Sequence, residues 1–144
     1  MRHVVFFVGP DRYALPLDAV REVVVAPPTF TRVPHAGVAV RGVMTLRGRV
    51  VPVVELARLL SSAPETATGS KVILLEVTRR DLGLLVTEVE GIEPIEKVER
   101  VPSQSSRLVR GVTRVGHEQT HPATVLDPTA LDAQVVEAFA GTPG

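Results

Sequence analysis

The sequence predicts an all-β protein made of two similar five-stranded barrels, followed by a short C-terminal helix. The first indication is composition: valine is abundant, and 12 prolines and 11 glycines interrupt the apolar segments. β-Branched residues favour strands, and frequent Pro and Gly favour turns over long helices. The second indication is an internal repeat, and the third is a polar tract, 61–70, at the joint between the repeats.

The repeat is visible in the motif VRGV, which begins at Val40 and again, 69 residues later, at Val109. After one inserted residue, the segment Pro52–Leu56 matches Pro122–Asp127, where a proline, branched residues and an acid recur. Self-similarity at a fixed offset indicates two homologous halves.

Each half contains about five short strands separated by turn signals. The first half runs through VVFFV, the turn Gly9-Pro10-Asp11, YALPL, VREVVV, a loop from Pro27 to Pro34, VMTL and RVVPVV. An open sheet of this size leaves two exposed edges, so we expect each half to close into a barrel. Because a domain of ~60 to 70 residues buries only about 60% of its unfolded surface, the two barrels should share a core.

We therefore expect a single domain, 1–144, with subdomain 1 at about 1–69, subdomain 2 at about 70–128 and a terminal helix at about 129–140. The helix is indicated by Leu131, Val135 and Phe139, which recur at helical spacing, and by Gly141 as a stop.

Charge and composition exclude several classes of function. The chain has 16 basic and 16 acidic residues, so no global field attracts nucleic acid. It has no cysteine, which excludes thiol catalysis. The N-terminal apolar run Val4–Val8 is too short for a signal peptide or a membrane span, and we expect a cytoplasmic protein without direct membrane insertion. The first 69 residues carry 8 basic and 5 acidic side chains and the remainder 8 and 11, which allows head-to-tail docking onto a related scaffold.

A catalytic site is not indicated, and no cofactor or metal is expected. The string His117-Glu118-Gln119-Thr120-His121 matches H-E-x-x-H of zinc hydrolases, a motif that requires a helix. Gly116 before it and Pro122 after it disfavour helical geometry, so a zinc hydrolase using His117 and His121 is a weak alternative. A small-molecule-binding barrel is a further alternative.

A run of glutamates from Glu88 to Glu99 also invites a metal interpretation. These carboxylates alternate with Val89, Ile92, Ile95 and Val98, which is typical of the solvated face of a half-buried segment.

The stretch GVMTLRGRVVPVVEL, preceded by YALPLDAVREV and an RVPHA loop and followed by GLLVTEV and VLD, resembles the CheW family of chemotaxis coupling proteins. The resemblance covers about Val4 to Leu131. It implies two Src-homology-3-like (SH3-like) barrels that act as a non-enzymatic adaptor. The implied partners are the regulatory domain of a CheA-like histidine kinase and the cytoplasmic tip of a chemoreceptor, at membrane-associated receptor arrays. A CheW-like adaptor of a divergent sensory or motility pathway is the alternative.

The resemblance also implies which residues contact partners. They are Val20 and Glu22 of the V-x-E motif and the hairpin residues Thr45, Leu46, Arg47 and Gly48. Val23 is expected in the core. Gly48 supplies turn geometry and Arg47 a multi-donor guanidinium, which binds a partner or forms an internal ion pair with Glu22 or Glu55.

Three further positions are implied as structural. Pro52 is expected where a missing N–H faces a strand edge, and Gly42 and Gly111 where a strand bends or another backbone approaches. The family pattern commonly has Asn at Thr45, Asp at Glu55 and Asp at Thr87, and the change at Thr45 puts the identity of the partner in question.

Overall fold

The computed structural model describes residues 1–60, 69–77, 80–100 and 107–140. The predicted linker, 61–70, lies outside these ranges except for its last two residues. The strands are β1 Arg2–Val8, β2 Asp11–Pro16, β3 Val20–Val25, β4 Val40–Leu46, β5 Arg49–Glu55, β6 Lys71–Glu76, β7 Asp81–Val86, β8 Glu88–Pro94, β9 Val109–Val115 and β10 His121–Leu126. The helices are α1 Leu56–Leu60 and α2 Pro128–Ala140, and short 3-10 turns lie at Leu17–Ala19 and His117–Gln119.

Within the described ranges, ten strands form two five-stranded sheets, which confirms the predicted all-β class. Sheet I has the order β8-β1-β2-β10-β9, and sheet II has the order β3-β6-β7-β5-β4. Most neighbours are antiparallel, but β2 pairs with β10, and β5 with β7, in parallel. In each sheet an isolated bridge joins the segment after the edge strand to the opposite edge, Thr31 to Val43 and Glu99 to Val112. This closure is consistent with SH3-like barrels.

The sheets do not follow the two halves of the sequence, and the expectation of one barrel from 1–69 and another from 70–128 does not describe them. Sheet I takes β1 and β2 from the first half and β8, β9 and β10 from the second, and sheet II takes the remaining strands. The crossing is made by very short connections. The chain passes from β2 into β3 through Leu17–Ala19 and from β7 into β8 through Thr87. With repeat-equivalent strands given the same number, both sheets have the order 3-1-2-5-4.

The shared core expected from the sequence lies between the two sheets. Alternate residues of the central strands face it: Val4 and Phe6 come from β1, and Ile73 and Leu75 from β6. The intervening residues fill a smaller core inside each barrel, Val5 in sheet I and Val72 and Leu74 in sheet II. The central strands are therefore buried on both faces, which explains their continuous apolar runs.

The terminal helix α2 begins one residue earlier than predicted. The Asp127 carboxylate accepts hydrogen bonds from the backbone N–H groups of Thr129 and Ala130, and Pro128 occupies the first helical position. Leu131 and Val135 are fully buried in the central core. Across the described ranges, none of the helices combines the length and apolarity needed to cross a bilayer.

Candidate partner-binding surface

The hairpin between β4 and β5 ends in a two-residue turn with unusual backbone geometry. Leu46 pairs with Arg49, so Arg47 and Gly48 are the central residues, with φ of 50° and 80°. Positive φ at both positions is the type I′ geometry, whose twist matches the flanking strands and which favours Asn-Gly. An arginine in the left-handed region is uncommon, because non-glycine residues are strained there.

Arg47 is tied to β3 by a bidentate ion pair with Glu22. Its Nη1 and Nη2 each donate to one carboxylate oxygen at 2.7 Å. These hydrogen bonds hold the pKa of Glu22 below its ordinary value and raise the pKa of Arg47. The sequence left two internal ion-pair partners open for Arg47, Glu22 and Glu55. The structure pairs Arg47 with Glu22, and Glu55 pairs with Arg58 at 2.5 Å. The Arg47 side chain nonetheless remains 66% exposed, so the ion pair does not hide it from a partner.

The strand that carries Glu22 is bulged. The register of β3 against β6 shifts between Val20 and Glu22. Val20 is half-buried and packs against the central core, so it contributes less free surface than the resemblance implied. The expectation that Val23 belongs to the core is wrong: Val23 is 37% exposed and Val24 packs inward in its place, since the bulge fixes which residues of β3 face the core.

The outer face of the β4–β5 ribbon continues the hairpin surface. Thr45 lies opposite Val50, which is 68% exposed, and Val43 lies opposite Pro52. Pro52 is not on an edge strand, contrary to expectation, because β5 lies between β4 and β7. The paired residues of β5 and β7 begin only at Val53, so the proline precedes that ladder.

Below the hairpin lies a cleft of about 130 Å³ that the sequence did not reveal. We call it the arginine cleft; it is lined by Arg21, Glu22, Leu46, Arg47, Arg49, Val51, Leu74 and Asp81. Arg21 donates to Asp81 at 2.9 Å and to Glu76 at 3.1 Å, and Arg49 also contacts Asp81. Asp81 comes from the second half of the sequence, so no local spacing could have placed it beside Arg21.

Gly42 and Gly111 lie where another backbone segment approaches closely. Each lies where a β-bulge interrupts the pairing of β4 with β5 or of β9 with β10. A Cβ atom on Gly42 would lie 2.4 Å from the carbonyl oxygen of Thr31, and one on Gly111 would lie 2.3 Å from that of Glu99. Both glycines therefore permit the bridge that closes each barrel.

The H-E-x-x-H string does not form the α-helix that the zinc-hydrolase motif requires. It spans the 3-10 turn and the first residue of β10, and Glu118 and Gln119 have positive φ of 62° and 53°. The side chains of His117 and Glu118 are 97% and 76% exposed. Among the residues that the structure describes, no group of three metal-binding side chains occurs.

The glutamates of β8 lie largely on a solvated face, and two of them form ion pairs. Glu90 pairs with Arg12 at 2.9 Å and Glu88 with Lys71 at 3.3 Å. The expected apolar face is not uniform, since Ile92 is 54% exposed. Thr87 accepts a hydrogen bond from the N–H of Gly9 at 2.8 Å, a structural contact.

Two barrels with an exposed, internally braced arginine hairpin have the architecture of an interaction scaffold. A family model described as CheW-like domain matches residues 2–135, and the chain belongs to the CheW family. It is therefore a scaffold of the kind that acts as a coupling adaptor in chemotaxis.

Individual relatives agree with this assignment. The chain is 33% identical over 114 residues to the probable chemotaxis protein CheW of Rhizobium etli, covering 77% of this chain and 73% of the relative. It is 34% identical to the chemotaxis protein CheW of Rhizobium meliloti over the same length and coverage. It is also 29% identical over 131 residues to protein PilI of Pseudomonas aeruginosa, covering 88% of this chain and 72% of the relative.

The fold is similar to that of a solved structure, the scaffolding protein TtCheW from Thermoanaerobacter tengcongensis. The TM-score is 0.73 at 23% identity, and the match covers 88% of this chain and 83% of the other.

Proposed function

We propose that this protein is a non-catalytic adaptor that couples the cytoplasmic tip of a chemoreceptor to the regulatory domain of a CheA-like histidine kinase. It would act in the cytoplasm at the receptor arrays and need no cofactor. The observation that carries the proposal is Arg47. This arginine has a positive φ, is braced by Glu22 and is still 66% exposed, so it is a preorganised donor group. The turn geometry favours asparagine at this position, so the turn itself does not explain the arginine.

The partner surface we infer comprises the hairpin and the neighbouring strands. Glu22, Leu46 and Arg47 line the arginine cleft, and Thr45 and Gly48 flank it. Val20 supports this surface from the core side. Guanidinium donors surrounded by exposed apolar side chains such as Val50 are typical of interface centres.

A CheW-like adaptor of a divergent pathway is the second candidate. It is favoured by Thr45, which stands on the exposed ribbon face where the family commonly has asparagine. Under this alternative the fold and the hairpin surface keep their roles, and only the receptor or kinase differs.

The test is titration calorimetry of the protein against the isolated regulatory domain of the CheA kinase from the same organism and, separately, against a receptor-tip fragment. Arg47→Glu is run with Arg114→Glu as the matched control, because Arg114 is exposed on the corresponding ribbon of sheet I. Binding by the wild type that Arg47→Glu abolishes and Arg114→Glu retains supports the proposal. Failure of the wild type to bind one or both fragments contradicts it, as does equal loss with the two variants.

A further inference from the structure

Asp81 lines the arginine cleft and contacts two arginines from different strands. Arg21 of β3 donates to it at 2.9 Å, and Arg49 of β5 contacts its other oxygen. The Asp81 side chain is only 9% exposed, whereas those of Arg21 and Arg49 are 39% and 51% exposed. The carboxylate is therefore buried, and the guanidinium groups lie between it and the solvent.

The same layering applies to the neighbouring ion pair. The Glu22 side chain is 28% exposed under an Arg47 side chain that is 66% exposed. Each guanidinium has five N–H donors, and the internal carboxylates occupy only some of them. The surface presented to solvent is consequently rich in oriented donors that the internal carboxylates do not take up, although the cleft also contains acidic groups. Residues 20–60, which form this side of sheet II, contain six arginines and two glutamates.

The equivalent position in sheet I has the opposite charge. Asp81 corresponds to Arg12 and Arg21 to Glu90 at the offset of 69, and these two also form an ion pair, with Arg12 Nη2 at 2.9 Å from Glu90. An ion pair at this place thus supports either barrel. In sheet II the guanidinium is the more exposed member, with Arg21 at 39% and Asp81 at 9%, and in sheet I the carboxylate is, with Glu90 at 30% and Arg12 at 21%. The orientation of the pair, and not merely its presence, distinguishes the two barrel ends.

We propose that the arginine cleft binds carboxylates of an acidic partner segment, and that Asp81 is the positioning residue that holds Arg21 and Arg49 beside Arg47. This inference rests on the proposed function and adds to it the chemistry of the partner surface. Arginine forks suit bidentate recognition of carboxylates, and immobilising two of them before binding lowers the entropy cost of association.

The experiment compares two substitutions that each remove one negative charge from the same cluster, Asp81→Asn and Glu76→Gln. Simple electrostatics predicts that both strengthen binding of an acidic partner. Positioning predicts that Asp81→Asn weakens it, by about fivefold. Glu76→Gln, which alters a half-exposed group paired with Arg21 outside the cleft lining, should not. Arg49→Gln should also weaken binding and reduce its dependence on salt, with Arg114→Gln, an exposed arginine on the corresponding ribbon of sheet I, as the matched control. Thermal unfolding of each variant monitors folding.

Binding is measured by calorimetry with the kinase regulatory domain and, in parallel, with a glutamate-rich peptide followed through the arginine Nε–H NMR signals. Weakening by Asp81→Asn and Arg49→Gln with either probe supports the inference. Unchanged or tighter binding by folded Asp81→Asn overturns it, as does a wild-type cleft whose arginine signals respond to neither probe. Wild-type binding to the peptide but not to the kinase domain refutes the proposed function alone. Salt-sensitive self-association lost in Arg49→Gln, without peptide binding, assigns the cleft to a second copy and also overturns the inference.

Discussion

The two glycines at the barrel closures and the glycine of the hairpin turn should respond very differently to alanine. All three have positive φ: 140° at Gly42, 158° at Gly111 and 80° at Gly48. Only the first two face another backbone at close range, with carbonyl oxygens 2.4 and 2.3 Å from the added Cβ. Apart from its two chain neighbours, no residue lies within 4 Å of a Cβ atom added at Gly48.

The magnitudes follow from this geometry. Gly48→Ala introduces only backbone strain, about 1–2 kcal/mol for a left-handed residue. Gly42→Ala introduces a backbone strain of about 1–3 kcal/mol. It also introduces an overpacking cost of about 1–3 kcal/mol, because the Thr31 carbonyl belongs to a paired backbone and cannot rotate away. The expected total is about 4 kcal/mol. At about 2–4 °C per kcal/mol for a chain of this size, this lowers the melting temperature by about 8–16 °C.

The assay is urea denaturation and thermal unfolding of Gly42→Ala, Gly111→Ala and Gly48→Ala, followed by circular dichroism. Gly42→Ala and Gly111→Ala should lose similar amounts of stability, each clearly more than Gly48→Ala. Equal losses at Gly42 and Gly48 would refute the assignment of the bulge glycines to close backbone approach. So would a large difference between Gly42→Ala and Gly111→Ala.

Three further predictions follow from the fold and the hairpin. Arg47→Asn creates the preferred Asn-Gly turn, so the melting temperature should not fall, yet binding to the kinase regulatory domain measured by calorimetry should be lost; retained binding would remove Arg47 from the partner surface. Burial lowers the pKa of His3 from its ordinary 6.5. The unfolded chain therefore binds this proton more readily, and the free energy of unfolding should fall as pH decreases below about 6.5. A urea series across pH checks this, and His3→Gln should flatten the profile; an unchanged slope would contradict it. Leu131→Ala should cost about 2–5 kcal/mol in urea denaturation because Leu131 is fully buried; a loss below about 1 kcal/mol would show that α2 is not part of the core.

Candidate surface residues that are close in sequence could be proposed from the sequence, and those that are distant could not. The hairpin Leu46-Arg47-Gly48 and the ion-pair candidate Glu22 could be identified from local pattern and family resemblance. The contribution of Asp81 could not, because the contact with Arg21 spans the two halves of the chain. The exposure of Val23 was also missed. A bulge in β3 sets which residues of this strand face inward, and the sequence pattern does not show the bulge.

The sequence by itself determined the number of strands and their succession along the chain, the repeat, the terminal helix and the turn residues of the hairpin. These properties depend on local preferences and on the period of apolar residues, which are written along the chain. The tertiary structure alone decided that the two halves exchange strands and that the central strands are buried on both faces. Strand pairing between distant segments is chosen by how apolar faces are jointly buried, and a repeated sequence offers the same pairing partners within a half and across halves. That choice brings Asp81 under the arginines of the other half and so completes the cleft beside Arg47.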